Sequence, residues 1–353
     1  MISTAHRIYV SDSADMREIK DGTVDLIITS PPYPMIAMWD GMFTAADALI
    51  GSCLACGRGM EAFDRMHLIL ERTWDECCRV LRDGGFACIN IGDAVRTLDG
   101  KFRMYPNCAR TAEYFCRKGL DMLPGIHWRK PVNAPSKFMG SGMYPAGAYI
   151  TLEHEYILIF RKGGKRVFDR ESKRLRQESA YFWEERNIWF SDLWEMNGIR
   201  QAVPSPAGGR SRSAAFPFEI PYRLVNMYSV RGDTVLDPFC GLGTAAQACM
   251  AAGRNSIGYE TDPAAAGLIL KDTAAAIEIS RRRTEARIKD HVRYISSLPE
   301  EKKEKCYWNS SCGFPVRTRQ ETGIRLKVID SIEEKEDGSL VCRYRRPDMP
   351  EGG

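Results

Sequence analysis

The chain has 353 residues, 44% of them hydrophobic and 27% charged, with a formal net charge of +4. That length accommodates one large α/β domain with insertions or two ordinary domains, and the balance excludes disordered and fibrous classes. Apolar runs such as Val24 to Ile28 and Tyr156 to Phe160 fall far short of the ~20 residues of a membrane span, so no membrane partner is expected.

The mildly basic pI of about 8.4 permits a polyanionic partner without requiring one. Met1 to Arg7 lacks the basic-then-apolar pattern of a secretory signal, so a cytoplasmic protein is expected, with its twelve cysteines reduced. Cys53 and Cys56 form a CxxC, but the spacing of Cys306 and Cys312 is wrong for a zinc knuckle, and no metal site is expected.

In chain order, Arg7 to Val10 reads as a short strand leading to Ser11-Asp12-Ser13, and Ala14 to Lys20 as a helix. Val24 to Ile28 is a continuous apolar run, as in a strand buried on both faces of a parallel sheet. It ends at Thr29-Ser30-Pro31-Pro32-Tyr33, where neither proline can donate to a ladder. The loop therefore sits at a strand's carboxyl end, where open α/β sheets bind ligands.

Phe63 to Leu81 has helical spacing, followed by Asp83-Gly84-Gly85 and a strand from Phe86 to Ile91 closed by Gly92-Asp93. A helix near 107–118, a strand near Ile126 to Trp128 and a long strand from Glu153 to Arg161 follow, the last expected at the sheet's second edge. Residues 162–209 mix basic, acidic and aromatic side chains and end in Pro204, Pro206, Gly208 and Gly209, the composition of an inserted recognition region.

Pro217 to Tyr228 reads as a helix, and Gly232 to Asp237 begins a strand running into Pro238-Phe239-Cys240-Gly241-Leu242-Gly243-Thr244. Thr244 to Ala252 is a helix capped by Gly253, and Asn255 to Glu260 a strand ending in a carboxylate. Beyond lie a basic helical stretch, Arg281 to Arg293, and a hairpin around Asp337-Gly338.

Two loops carry chemistry. A strand ending in Asp237, then Gly241-x-Gly243 and a helix from Thr244, lets backbone approach a ligand closely. Glu260, after the next strand, can accept hydrogen bonds from ribose hydroxyls, so the unit describes a nucleoside pocket. The third glycine of a dinucleotide fingerprint is absent near Gln247, which counts against a nucleotide-dependent oxidoreductase.

In the other loop, Ser30 Oγ and the Pro31 carbonyl are acceptors held stiffly by the prolines, with Tyr33 as a stacking face. Acceptors aimed at both protons of an exocyclic base amine relocalise its lone pair and make it nucleophilic.

On TSPPY and DPFCGLGT the chain resembles the circularly permuted amino-methyltransferases of DNA, in which the catalytic loop precedes the cofactor loop. Arg79 to Gly85 with Gly92-Asp93, and Ala215 to Leu224, agree with that pattern, so the resemblance covers roughly residues 7–270. It implies a Rossmann-like S-adenosylmethionine-dependent methyltransferase fold: a mostly parallel seven-stranded sheet with an antiparallel edge strand. The catalytic half would be 1–161, the cofactor half 210–274 and a C-terminal extension 275–353, around the insertion at 162–209.

The catalytic set would be Ser30, Pro31, Pro32 and Tyr33. S-adenosylmethionine would be held by Asp12 near the adenine, Glu260 at the ribose, and Thr29, Phe216, Pro217, Asp237, Pro238, Phe239, Gly241, Gly243 and Thr244 around them. The serine form of the tetrapeptide goes mainly with N4 of cytosine in this family, the aspartate or asparagine form with N6 of adenine.

A C5-cytosine enzyme would need a Pro-Cys pair, and the chain has none. Double-stranded DNA is the expected partner, its target base flipped out, with Lys165, Arg166, Arg170, Lys173, Arg174 and Arg176 gripping phosphates. A cognate restriction endonuclease and a homodimer are compatible with the resemblance. N4 of cytosine is thus the expected target, and N6 of adenine on the same scaffold, RNA as substrate, or a binder without catalysis are the rival readings. His127 and His154 receive no role.

Overall fold

The structure is a computed structural model, and it describes residues 3–130, 139–198, 216–271 and 273–348. Its centre is a ten-stranded sheet. In chain order the strands are β1 (Ser3–Val10), β2 (Val24–Thr29), β3 (Leu81–Ile91), β4 (Leu120–Arg129), β5 (His154–Lys162), β6 (Leu193–Glu195), β7 (Thr234–Asp237), β8 (Asn255–Glu260), β9 (Val328–Glu334) and β10 (Leu340–Arg345). Across the sheet they run β9-β10-β1-β8-β7-β2-β3-β5-β4-β6.

The five from β1 to β3 are mutually parallel, and β5 is antiparallel to both β3 and β4. The expected seven-stranded, mostly parallel sheet is thus present, extended by β6 at one end and the β9–β10 hairpin at the other.

Every residue of β2 is buried, because helices cover both faces of the sheet. Side chains alternate between faces. Ile27, Ile89 and Leu236 pack under α1 (Gly59–Val80), whose Phe63, Met66, Leu70, Trp74 and Cys77 recur at three- and four-residue spacing. Leu26, Ile28, Cys88 and Val235 meet α2 (Glu219–Tyr228) and α3 (Thr244–Ala252) on the opposite face.

Two expectations need correction. Ala14 to Lys20 forms turns and no helix. Met16 and Ile19 plug the core at helical spacing, but α1 takes their backbone groups: Met16 N donates to Glu76 Oε2 at 2.7 Å, and Arg79 donates to the carbonyls of Met16 and Ile19 at 2.9 Å. The strand β5 is internal, since β4 pairs on its far side and β6 lies beyond. Parts of the proposed insertion, including Pro204, Pro206, Gly208 and Gly209, lie outside the described residues, as does Ala215.

The C-terminal stretch is built into the sheet. β10 pairs antiparallel with β1, and Tyr344 Oη donates to the Met250 carbonyl at 2.8 Å while bonding Thr4 Oγ1 at 2.7 Å.

Candidate active site

The strands β2 and β7 are hydrogen-bonded neighbours, with Leu26 opposite Val235 and Ile27 opposite Leu236. From β2 the chain crosses to β3 on one side; from β7 it crosses to β8 on the other. The carboxyl ends of this pair therefore flank a topological switch point. The loop at 30–33 follows one and the loop at 238–244 the other, so two segments distant in the chain share one rim.

A hydrogen bond ties them, Thr29 Oγ1 to Asp237 Oδ1 at 2.7 Å, and the same oxygen accepts from Phe239 N at 3.1 Å. Asp237 is buried, and burial pushes its carboxyl up to about 7; the Thr29 hydroxyl and Phe239 amide pull it back down, and the Glu260 charge adds to the upward push. Gly241 and Gly243 hold φ of 53° and 75°, the left-handed region other residues avoid, which turns the chain sharply into α3 at Thr244.

Glu260 closes this half. Its Oε2 accepts from Gly241 N at 3.0 Å and its Oε1 from Asp262 N at 2.9 Å, so the carboxylate is aimed before any ligand arrives. Val10 is in register with Glu260, which puts Asp12, exposed and accepting from Ala14 N at 2.9 Å, just beyond the neighbouring strand end. Pro238 is buried, and the Phe239 ring meets Trp74 edge-on at 5.8 Å. Phe216 is buried beside Leu26 and Ile28 under the sheet, with Pro217 half-buried beyond it. These groups gather along one rim of the sheet with a carboxylate among them, a donor and acceptor set that suits a nucleoside.

The catalytic-type loop is rigid. Pro31 and Pro32 are buried, and Met35 is held at φ 67° with its N–H against Met66 Sδ at 3.3 Å, a costly conformation for a non-glycine residue that packing sustains. Ser30 Oγ lies 2.9 Å from Tyr33 Oη, which donates to Glu155 Oε2 at 2.8 Å. Asn90 Nδ2 faces Glu155 Oε2 at 2.7 Å, Tyr33 Oη at 2.8 Å and Ser30 Oγ at 3.3 Å, while Lys130 pairs with Glu155 Oε1. Burial, and then the Glu155 charge, push the Tyr33 phenol well above its usual range.

Asn90, Glu155 and Lys130 were not among the sequence candidates. Asn90 carried a readable signal, an amide inside the apolar strand Phe86 to Ile91. A buried polar side chain in such a run must find partners.

The basic residues at 165–176 fall elsewhere. Arg166 forms a two-pronged pair with Asp233 at 2.6 and 2.9 Å and approaches Asp25 at 3.3 Å, at the amino ends of β7 and β2. Strand β2 spans six residues, roughly 20 Å at ~3.3 Å each, so this is the rim opposite Ser30. Lys165, Arg166, Arg170, Lys173, Arg174 and Arg176, expected to grip phosphates, thus belong to a segment that Arg166 anchors at that opposite rim. Arg166 is committed to a buried ion pair, Arg176 lies over the Phe168 ring at 4.8 Å, and Arg174 leans toward Glu178 at 3.8 Å. Lys165, Arg170 and Lys173 are exposed on that same remote segment.

Among the described residues, one group has the spacing of metal ligands, Glu184, His291 and Glu321. Most of its ligand atoms are engaged in structure: His291 Nδ1 meets Glu184 Oε1 at 2.8 Å, His291 Nε2 donates to the Pro315 carbonyl at 2.9 Å, and Glu321 accepts from the backbone of Trp183 at 2.8 Å and of Thr318 at 2.6 Å, while Glu184 Oε2 is buried without a partner.

Residues 24–271 match the family model described as DNA methylase, which embraces N6 and N4 methyltransferases. The chain is 49% identical over 328 residues to the type II methyltransferase M.MthZI of Methanothermobacter thermautotrophicus, covering 92% of this chain and 91% of that one. It is 47% identical to the type II methyltransferase M.MjaI of Methanocaldococcus jannaschii, covering 74% and 88%. A solved structure described as a putative DNA modification methylase of Thermus thermophilus, complexed with S-adenosyl-L-methionine, superposes with a TM-score of 0.58 at 30% identity, covering 77% of this chain and 95% of that one.

Proposed function

Because the chain belongs to the DNA methylase family of N6 and N4 methyltransferases, we propose that it is an S-adenosylmethionine-dependent DNA methyltransferase acting on the exocyclic N4 amine of cytosine in duplex DNA. The observation that carries this reading is the Thr29–Asp237 bond, which joins an amine-accepting loop to a nucleoside-suited loop on one rim.

The rim residues fit the cofactor: Glu260, already aimed by two backbone amides, would hold the ribose hydroxyls, Asp12 would lie toward the adenine, and the loop from Asp237 to Thr244, with Thr29, Phe216 and Pro217, would enclose the rest. When bound, S-adenosylmethionine supplies an electrophilic methyl group carried on a cationic sulfur. The protein's part is to make the amine nucleophilic. Ser30 Oγ and the Pro31 carbonyl would accept hydrogen bonds from its two N–H groups, drawing the nitrogen toward tetrahedral geometry, and Tyr33 offers a ring on which the flipped base stacks. The loop is rigid in advance, so little reorganisation accompanies the reaction.

The serine at position 30 supports cytosine as the base. The type II names of the relatives support a restriction-modification setting, with a cognate endonuclease that cuts the same site when it is unmodified. Incubation with S-adenosylmethionine and unmethylated DNA, digestion to nucleosides and mass analysis tests the proposal. N4-methylcytosine is expected. N6-methyladenine would overturn the choice of base while leaving the family assignment intact.

A further inference from the structure

A serine is an ambiguous acceptor. Its hydroxyl carries one proton and two lone pairs, and if the proton points at the substrate it repels the amine it should accept from. An aspartate or asparagine oxygen has no such ambiguity. An enzyme with serine at this position therefore needs a device to turn the proton away.

The hydrogen bonds around Ser30 contain one. Tyr33 Oη has a single proton, and it goes to Glu155 Oε2 at 2.8 Å. Asn90 Nδ2, a donor, faces the same phenol oxygen at 2.8 Å. The 2.9 Å contact between Ser30 Oγ and Tyr33 Oη then has one consistent direction, with Ser30 donating. Its proton is committed inward; of its two lone pairs one is approached by Asn90 Nδ2 at 3.3 Å, and the other is left for the amine.

Glu155 sets this polarity. Its Oε1 pairs with Lys130 and its Oε2 takes both the Tyr33 hydroxyl and Asn90 Nδ2, so it stands as an acceptor at the inner end of the chain. The position is tightly enclosed. A Cβ added at Gly92 would meet Tyr33 Cε2 at 3.1 Å and Glu155 Cγ at 3.2 Å, so that glycine lets the two side chains sit where the chain requires.

We propose that Glu155, acting through Tyr33, is a positioning residue that orients the Ser30 hydroxyl as an obligate hydrogen-bond acceptor for the substrate amine. Asn90 helps by filling the remaining acceptor site of the phenol. The inference deepens the reading of Ser30 as an amine acceptor and rests on it; it holds for a cytosine or an adenine amine alike.

The test compares wild type, Glu155→Gln, Tyr33→Phe and the double variant. Each is given labelled S-adenosylmethionine and long unmethylated DNA, which offers every short site. Gln at 155 can present either an oxygen or an amide, so it no longer dictates direction; Phe at 33 keeps the stacking ring and removes only the hydroxyl. Each single variant is expected to lower kcat tenfold or more, with cofactor Kd and the KM for DNA within about threefold of wild type. The double variant is expected to be no slower than the slower single, because both cut one chain.

Wild-type kcat in Tyr33→Phe, or losses that multiply in the double variant, overturns the proposal. Thermal unfolding checks that each variant is folded; if Glu155→Gln is not, Tyr33→Phe carries the decision. Absence of transfer by the wild type would instead sink the underlying reading.

Discussion

Thr29 and Asp237, 208 residues apart in the chain, share a 2.7 Å hydrogen bond that fastens the strand end carrying one loop to the strand end carrying the other. Thr29→Val preserves shape and removes the hydroxyl. A buried carboxylate deprived of a donor should cost about 1–3 kcal/mol in stability and weaken cofactor binding roughly tenfold, since each 1.4 kcal/mol is a factor of ten. Thermal unfolding and calorimetric titration with S-adenosylmethionine would read both. An unchanged cofactor affinity would mean that the bond serves packing alone.

The same carboxyl makes a pH prediction. Asp237 sits at about 7 in the fold, against an ordinary value of 3.8. Between those values the folded state holds a proton that the unfolded chain has released. The contribution of this group to stability is therefore greatest below pH 4 and declines as pH rises toward 7, by roughly 2–4 kcal/mol in all. Asp237→Asn should flatten that decline in the ligand-free protein. A melting temperature that rises equally in both proteins between pH 5 and 8 would contradict the assignment.

Ser30→Ala and Glu260→Ala should separate chemistry from cofactor binding. Removing one preorganised acceptor costs on the order of 10²–10³ in rate, with cofactor Kd little changed. Removing Glu260 should raise cofactor Kd by one to two orders of magnitude, because a carboxylate aimed by two amides makes strong, charge-assisted bonds. Single-turnover kinetics at saturating cofactor distinguish the two, and the opposite pattern would mean that the loops' roles are exchanged.

Arg166→Met should destabilise the fold by about 3–5 kcal/mol, since it takes the cation from the buried carboxylate of Asp233 while Asp25 keeps Arg82, and it should leave the salt dependence of DNA affinity unaltered. Lys173→Ala, at an exposed position on the same rim, should alter neither. Affinity measured across a salt series is the check, because the slope counts neutralised phosphates. A slope smaller by about one per variant would return this segment to the DNA interface.

Much of the site was legible because it is local. Thr29 to Tyr33 and Asp237 to Thr244 each announce themselves by prolines or glycines at a strand end, and Glu260 by its place after the next strand. What escaped was assembled across the sheet. Glu155 lies on β5 and Lys130 just past the end of β4, without any local mark, and Glu155 reaches Tyr33 only because β5 lies against β3. Ala14 to Lys20 misled because burial of Met16 and Ile19 mimics a helical stripe while Arg79 and Glu76 replace the helix's own bonds. The run at 165–176 shows that charge carries no address: Arg166 is spent on Asp233 at the far end of the strands.

The parallel pairing of β1 with β8, His6 opposite Ser256 through Val10 opposite Glu260, also bears on how the molecule comes into being. During translation the first strand emerges some 250 residues before its central neighbour, an interval of roughly 12–50 s at ~5–20 residues per second. Through that wait its backbone groups have no sheet partner, and β10, which covers its other side, is made later still. A strand made so long before both of its partners is among the last to dock. Stalled synthesis before residue 255 should yield nascent chains that are captured by chaperones or that aggregate through this strand.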